Sequence, residues 1–259
     1  MQAELKALIF DVDGTLADNE RDGHRVAFNC AFREAGLGWY WDVPTYDILL
    51  EVFGGKERIH HFIERFKPEF AAPVDVDAFV RELHQRKTHH YMELLQSGEI
   101  PLRPGVERLL REARTAGLKL AVASTTTPEN VTVLLCETIG EESLGWFDVI
   151  AAGDMVENKK PAPDIYEYAL ERLGLDAAEC LVIEDTELGL ASAMAAGLVT
   201  VITVNGATQD QDFSGAALVV DQLGEPGHPF EVLAGDAGGA TLVDVALLRR
   251  LHSAGAEPA

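Results

Sequence analysis

Six short apolar runs rich in β-formers recur along the chain, at Leu5–Phe10, Leu118–Ala123, Phe147–Ala152, Cys180–Ile183, Val199–Val204 and Ala217–Val220. They are nearly continuous rather than alternating, the pattern of strands covered on both faces in a parallel sheet. Between them lie helical patterns with readable ends. Pro104 opens one that presents Val106, Leu109, Leu110 and Ala113 and stops at Gly117. A second runs from Pro128 through Val131, Leu134 and Leu135 to Gly140. A third follows Pro163 with Ile165, Tyr168, Ala169 and Leu173 and ends at Gly174, and a fourth follows Thr186 and ends at Gly197. Proline or threonine at the start and glycine just past the end is the usual helix punctuation. Strand–helix alternation of this kind predicts right-handed βαβ units and a doubly wound α/β sheet.

Residues 18–98 read differently, as helix alone. One helix carries Val26, Phe28, Ala31, Phe32 and Ala35 before Gly36. The next carries Ile59, Phe62, Ile63 and Phe66 before Pro68. A third carries Phe79, Val80, Leu83, Met92, Leu94 and Leu95 before Gly98. The expected organisation is an α/β core from residues 1–17 and 99–259, with an α-helical cap at 18–98. Ligands of open α/β sheets bind beyond the carboxyl ends of the strands. An insertion leaving from the end of the first strand sits over that crevice and can act as a lid. The stretch from Gly224 is rich in Gly, Ala and Pro, then offers one helix at Leu242–Leu251.

Composition narrows the partners. The 259 residues are 47% hydrophobic, enough for a real core, and 21 Lys and Arg against 43 Asp and Glu give a net charge of −22. That balance excludes nucleic acid, whose phosphates demand a basic footprint, and disfavours anionic membranes. A phosphorylated substrate needs a local cationic pocket or a metal. Cys30, Cys136 and Cys180 show no metal or redox spacing and read as free thiols. No apolar run is long enough to span a bilayer, and Asp11 and Asp13 interrupt the first one. A cytoplasmic protein is expected, or a plastid one if a transit peptide has been removed. The pattern specifies no oligomeric state.

The chemistry gathers at strand ends. Asp11-Val12-Asp13-Gly14-Thr15 follows the first strand directly. Strand alternation points Asp11 and Asp13 the same way, and two close carboxylates stay ionised only with a cation between them. A hard, oxygen-binding ion such as Mg²⁺ fits. The second strand delivers Ser124, with Thr125, Thr126 and Thr127 behind it; hydroxyls and amides at a helix start suit a phosphate, or simply cap the helix. Lys159-Lys160-Pro161-Ala162-Pro163-Asp164 follows the third run, with Lys160 fixed by its proline and Lys159 read as a solvated charge. The fourth run delivers Glu184-Asp185-Thr186, paired acids that complete a carboxylate metal site or cap the next helix.

Together these four motifs, in order and each at a strand end, resemble the haloacid-dehalogenase (HAD) superfamily, and the helical insertion resembles its class with an α-helical cap. The resemblance covers residues 5–205. It implies that Asp11 attacks phosphorus and forms an aspartyl phosphate. It implies that Asp13 is general acid toward the leaving alcohol and then base toward water. It gives Ser124 and Lys160, with Thr125 and Thr126 beside them, the transferring phosphoryl oxygens. It places Mg²⁺ on Asp11, Asp185 and the backbone carbonyl of Asp13, with Glu184 in support.

The cap carries the specificity question. Gly54-Gly55-Lys56-Glu57-Arg58 is the best distal-phosphate candidate: the glycines allow close approach, and Lys56 and Arg58 are cations, though the same run could be a flexible helix start. Glu20 and His24 could bind sugar hydroxyls, unless His24 is structural, and Lys87 is a weaker candidate. His60-His61 and His89-His90 are adjacent pairs that point apart on a helix and read as surface. Asp22–Arg25, Trp39–Asp42, Gly54–Ile59, Arg103–Gly105 and Ala151–Val156 resemble CbbY-type phosphatases. That group removes the 1-phosphate of xylulose-1,5-bisphosphate, an inhibitory by-product of Rubisco. A small phosphorylated sugar is therefore the expected partner. Two rivals stand: a β-phosphoglucomutase, which shares core and cap but passes the phosphoryl group to a sugar hydroxyl, and a receiver-like phospho-acceptor module.

Overall fold

The computed structural model describes residues 3–255, apart from 53 and 72. In chain order the elements are β1 (Ala7–Phe10), α1 (Arg25–Glu34), α2 (Val43–Leu49), α3 (Gly55–Phe66), α4 (Val76–Gln96), α5 (Val106–Thr115), β2 (Lys119–Ser124), α6 (Pro128–Thr138) and β3 (Val149–Ala152). They continue with α7 (Asp164–Leu173), β4 (Cys180–Glu184), α8 (Glu187–Ala195), β5 (Val199–Thr203), β6 (Leu218–Val220), β7 (Val232–Gly235) and α9 (Val245–Gly255). The sheet order is β3-β2-β1-β4-β5-β6-β7, parallel throughout except for the last pair.

All four residues of β1 are buried, as the continuous apolar run requires of a central strand. One sheet face packs Leu8, Phe10, Leu120 and Val122 against α5 and α6 residues such as Leu109 and Leu134. The other packs Ile9, Ala121, Ala123 and Val182 against Ile165, Tyr166 and Ala169 of α7. Register pairs Phe10 with Val122 and with Ile183, so Asp11, Ser124 and Glu184 emerge together at one edge of the sheet. The helices α1–α4 leave from that edge. They build a separate aromatic cluster around Phe28, Phe32, Trp39, Trp41 and Phe62, with Phe28 and Trp41 centroids 4.5 Å apart. Ala27, Tyr91 and Leu95 belong instead to the sheet-side core and root the insertion there.

Three elements differ from the sequence reading. Strand β7, Val-Leu-Ala-Gly, lies antiparallel on the sheet edge with all four residues exposed; so short an apolar run in a Gly- and Pro-rich stretch does not mark a strand. Helix α2 is short and capped by Asp42, which accepts from the Thr45 amide at 2.9 Å. Helix α9 starts at Val245 rather than Leu242, because the Asp244 carboxylate accepts from the Leu247 amide at 2.7 Å and caps it there. All three cysteines are free thiols. Among the described residues, no helix is long and apolar enough to cross a membrane.

Candidate active site

Lys160 is the pivot of the strand-end cluster. Its side chain is fully buried, and Nζ lies 2.7 Å from Asp11 Oδ1 and 2.5 Å from Glu184 Oε1. Burial opposes its charge, but Asp11 and Glu184 more than offset that and hold it firmly protonated. Burial pushes Asp11 up to about 7; the Lys160 charge pulls down and Glu184 pushes up. Glu184 is held below its usual range despite burial, because Lys160 and the amides of Asp185 and Thr186 all donate to it. Asp185 is pushed well above the carboxylate range by burial, then by Glu184 and Asp11.

Asp11, Glu184 and Asp185 bring carboxylate oxygens within 4.8 Å of one another, all buried. Three carboxylates face one ammonium, so the protein leaves negative charge uncompensated there. Such an all-oxygen donor set fits a hard divalent cation. The remaining lone pairs support the same reading. Asp185 accepts from Thr15 Oγ1 at 3.0 Å and Asn205 Nδ2 at 2.7 Å, bonds that orient it. Gly14 has φ of +89°, and a Cβ there would lie 2.1 Å from Asp185 Oδ2. Only glycine lets the loop pass so close. The histidine pairs at 60–61 and 89–90 take no part in this cluster.

Asp13 does not share a cation with Asp11. Strand geometry ends at Phe10, and the Asp13 carboxylate turns instead toward the insertion. Its Oδ1 accepts from Asn19 Nδ2 at 2.7 Å and lies 2.9 Å from His24 Nε2, which is close but poorly aligned for a straight hydrogen bond. A turn of π-helix at Glu20–His24 delivers that imidazole. Lys87 Nζ sits 2.5 Å from His24 Nδ1. An ammonium can only donate, so Nδ1 accepts and the ring proton sits on Nε2, facing Asp13. His24 stacks on Tyr91 with centroids 4.0 Å apart, which fixes the ring. Burial raises the Asp13 pKa, but His24, Lys87 and Asn19 overcome it and hold the group well below the usual range. Burial also lowers Lys87, to about 8.

Two adjoining cavities meet at Asp13, Glu20, Arg58 and Thr125. The larger, about 450 Å³, is lined by Asp11, Ser124, Asp185, Thr186, Asn205 and Thr208. The smaller, about 220 Å³, lies under the insertion and holds Lys56, Arg58, His84, Lys87, Thr126 and Lys159. Ser124 and Thr126 are buried at the start of α6, where Thr126 Oγ1 accepts from Asn130 Nδ2 at 3.0 Å. Thr127, not Thr126, caps that helix.

The insertion residues are more engaged than the sequence suggests. Arg58 is buried and donates to Leu49 O at 3.1 Å and Tyr46 Oη at 2.7 Å, and Tyr46 in turn donates to Glu20 at 2.5 Å. Lys56 pairs with Asp154, a residue of the loop after β3. Gly54 does adopt a positive φ of 90°, and Glu57 folds over it. His24 and Lys87 bind one another, His24 also lies against Asp13, and both line the smaller cavity. Lys159 is not solvated: it bonds to the Gly153 carbonyl and lies 2.8 Å from Asp154 Oδ1. Sequence reasoning missed Asn19, Tyr91 and Asn205, and also Arg103, whose guanidinium donates to the carbonyls of Gly14, Thr203, Val204 and Asp221 at 2.5, 2.8, 2.6 and 2.7 Å. Three segments, at Gly14, at Thr203 and Val204, and at Asp221, are thereby tied to one side chain. No local pattern marks such a partner set, because carbonyls carry no sequence identity.

Known proteins share these features. Residues 5–197 match the family profile of haloacid dehalogenase-like hydrolases. The chain is 49% identical over 225 residues to Protein CbbY, plasmid, of Cupriavidus necator, covering 87% of this chain and 88% of that protein. A solved structure of a CbbY variant from Rhodobacter sphaeroides, in complex with xylulose-(1,5)bisphosphate, matches with a TM-score of 0.79 at 41% identity, covering 84% of this chain and 94% of that one. A β-phosphoglucomutase from Clostridium difficile covers 84% of this chain and 91% of that one with a TM-score of 0.67, and at 23% identity it shows a shared fold.

Proposed function

The chain belongs to the haloacid dehalogenase-like hydrolases, and from that premise we propose a Mg²⁺-dependent phosphatase that converts xylulose-1,5-bisphosphate to xylulose-5-phosphate and inorganic phosphate. The bisphosphate bound to a 41% identical relative supports this substrate. What carries the reading in this chain is the buried trio of Asp11, Glu184 and Asp185 around Lys160, beside a cavity that continues under the insertion toward Lys56, Arg58 and Lys87. Asp11 and Asp185, with the carbonyl of Asp13, would hold Mg²⁺, which supplies positive charge to the phosphoryl oxygens when bound. We place the enzyme in the cytoplasm.

Asp11 is the nucleophile. One of its carboxylate oxygens attacks the 1-phosphorus, and the bond from phosphorus to the sugar oxygen breaks. The leaving oxygen takes a proton from Asp13; the negative phosphoryl group bound beside it opposes the pull of His24, Lys87 and Asn19 that ionises Asp13 in the free protein. Water then attacks the aspartyl phosphate, Asp13 accepts the water proton, and phosphate leaves with Asp11 regenerated. His24, directed by Lys87, keeps the Asp13 carboxylate ready for that second proton transfer. Lys160 and Ser124 neutralise and orient the moving phosphoryl group, which is where most phosphoryl-transfer catalysis lies. The insertion excludes bulk water and holds the sugar through Glu20 and the second phosphate through Lys56.

Phosphate release from xylulose-1,5-bisphosphate with Mg²⁺ tests this directly. Asp11→Asn should lose about 10³-fold or more in kcat, since a group forming the covalent bond is removed. Substantial turnover by that variant sinks the mechanism. Glucose 6-phosphate formation from β-glucose 1-phosphate, in place of phosphate release, would turn the assignment to a mutase.

A further inference from the structure

The cavity under the insertion gathers Lys56, Arg58, Arg81, Lys87 and Lys159 in a chain whose net charge is −22. Reading it as the seat of the substrate's second phosphate rests on the function proposed above. Four carboxylates share it, Asp13, Glu20, Glu57 and Asp154, and the last of them meets two of the lysines directly. Asp154 follows Gly153, whose φ of +65° turns the chain after β3. Its Oδ2 pairs with Lys56 Nζ from α3, and its Oδ1 lies 2.8 Å from Lys159 Nζ. Lys159 is held in place by the Gly153 carbonyl as well.

Two cations from opposite walls of the cavity therefore each meet one oxygen of a single anionic group. A phosphate offers the same oxygens in the same fork. Hydrogen bonds from Lys159 and then Lys56 hold the Asp154 carboxyl at about 2, so it is ionised throughout the neutral range. The contact is also open to water: the Asp154 side chain is 64% exposed and that of Lys56 30%. Ion pairs that exposed are weak and exchange readily.

We propose that Asp154 is a specificity-determining residue whose carboxylate occupies the anion position between Lys56 and Lys159, and that a substrate's distal phosphate binds there by displacing it. The displaced carboxylate swings into solvent, a movement its exposure permits. A sugar with no second anion leaves the two ion pairs intact and gains nothing from the lysines. Asp154 thus lowers the affinity for every distal anion, and only one that brings more charge than a carboxylate wins the exchange. Weak anions abundant in the cell, which would otherwise occupy two free lysines, are kept out.

The test compares wild type with Asp154→Asn on xylulose-1,5-bisphosphate and xylulose-1-phosphate at one Mg²⁺ concentration. The two exposed pairs set the size of the effect, a roughly three- to tenfold fall in KM for the bisphosphate with kcat within twofold. The ratio of the monophosphate KM to the bisphosphate KM should rise by the same factor. Asp154→Glu, which keeps the charge, should resemble wild type. A higher bisphosphate KM in Asp154→Asn would show that the carboxylate positions the lysines instead, and equal changes on both sugars would remove it from the distal site; either result overturns the proposal. Should neither sugar be turned over by wild type, the substrate assignment falls. Calorimetric binding of inorganic sulfate then decides Asp154 on its own: tighter binding to Asp154→Asn supports displacement, and unchanged or weaker binding refutes it.

Discussion

Replacing Glu184 by glutamine separates a metal ligand from a scaffold. Its two oxygens already accept five hydrogen bonds: Oε1 from Lys160 at 2.5 Å and Tyr166 Oη at 3.1 Å, and Oε2 from the Asp185 amide at 2.8 Å, the Thr186 amide at 3.1 Å and Thr186 Oγ1 at 3.2 Å. The carboxylate lies against Gly189, where a Cβ would come within 1.9 Å of Oε1. So Glu184 can neither swing away nor find a free lone pair facing the cavity. Glutamine keeps the shape and turns one acceptor into a donor. In either orientation Lys160 loses the charge of one of its two carboxylate partners. With the NH₂ toward Lys160 it meets an ammonium that can only donate, and with the NH₂ toward the chain the Asp185 and Thr186 amides are left unpaired. Breaking one partner of a buried charge network costs about 3–5 kcal/mol. For a chain of this size that is a fall in Tm of roughly 6–20 °C. Scanning calorimetry of Glu184→Gln measures it, and titration with Mg²⁺ of the same protein measures the ion. A Tm within about 2 °C of wild type, with Mg²⁺ affinity lost, would make Glu184 a direct ligand and refute the argument from donor saturation.

Two further perturbations follow from buried cations. Arg103→Lys offers three donors on one nitrogen where four carbonyls now accept from a planar fork, so at least one carbonyl is left unpaired. The expected loss is about 2–4 kcal/mol by chemical denaturation, with a weaker Mg²⁺ site because Gly14 is freed; a loss under 0.5 kcal/mol would contradict it. Lys87→Met should show the opposite sign at neutral pH. Burial lowers Lys87 from 10.5 to about 8, so below pH 8 the native state carries a buried charge that the unfolded chain carries in water. Between pH 8 and 10.5 the unfolded chain binds the extra proton, and wild-type stability rises with pH. The methionine variant should therefore match or exceed wild-type stability at pH 7 by about 1–2 kcal/mol, lose that advantage by pH 10, and have a lower kcat because His24 loses its anchor. Thermal melts at both pH values check it; destabilisation by more than about 2 kcal/mol at pH 7 would mean the contacts of Lys87 outweigh its desolvation.

The parallel sheet was legible because six strands are buried on both faces, which leaves the apolar run as their signature. Strand β7 has a short apolar run too, Val-Leu-Ala-Gly, but it lies exposed at the sheet edge within a Gly- and Pro-rich stretch, so burial does not set it apart. The strand-end residues Asp11, Ser124, Glu184 and Asp185 were legible for a geometric reason: in such sheets the carboxyl ends converge, and register brings them together, while Lys160 reaches them from the loop that follows β3. Tandem Lys159-Lys160 shows the limit. The sequence distinguishes them only by the following proline, yet one is fully buried and the other reaches across the cavity mouth to Asp154. The turn of π-helix that aims His24 at Asp13, against the simple alternation expected for Asp11 and Asp13, has no residue code either. What fails to show in the sequence is whatever depends on backbone carbonyls, on cross-element partners or on the exit angle of a loop.

Charge bookkeeping at the two ends of the site gives a division of labour. Around Lys160 three buried carboxylates face one ammonium, and Asp185 is pushed far above its usual range by burial and then by Glu184 and Asp11. Around Asp13 the balance reverses: Lys87 and Arg58 are buried beside Asp13 and Glu20, and Lys56 and Lys159 stand further out with Asp154. A divalent cation is therefore drawn to the strand ends and finds no vacancy under the insertion. A phosphate dianion is repelled by the strand ends until the cation is bound, and is attracted to the insertion without one. On the function proposed above, the order of charges orients a bisphosphate: the end placed at the metal and Asp11 reacts, and the end placed at Lys56 and Lys159 is kept.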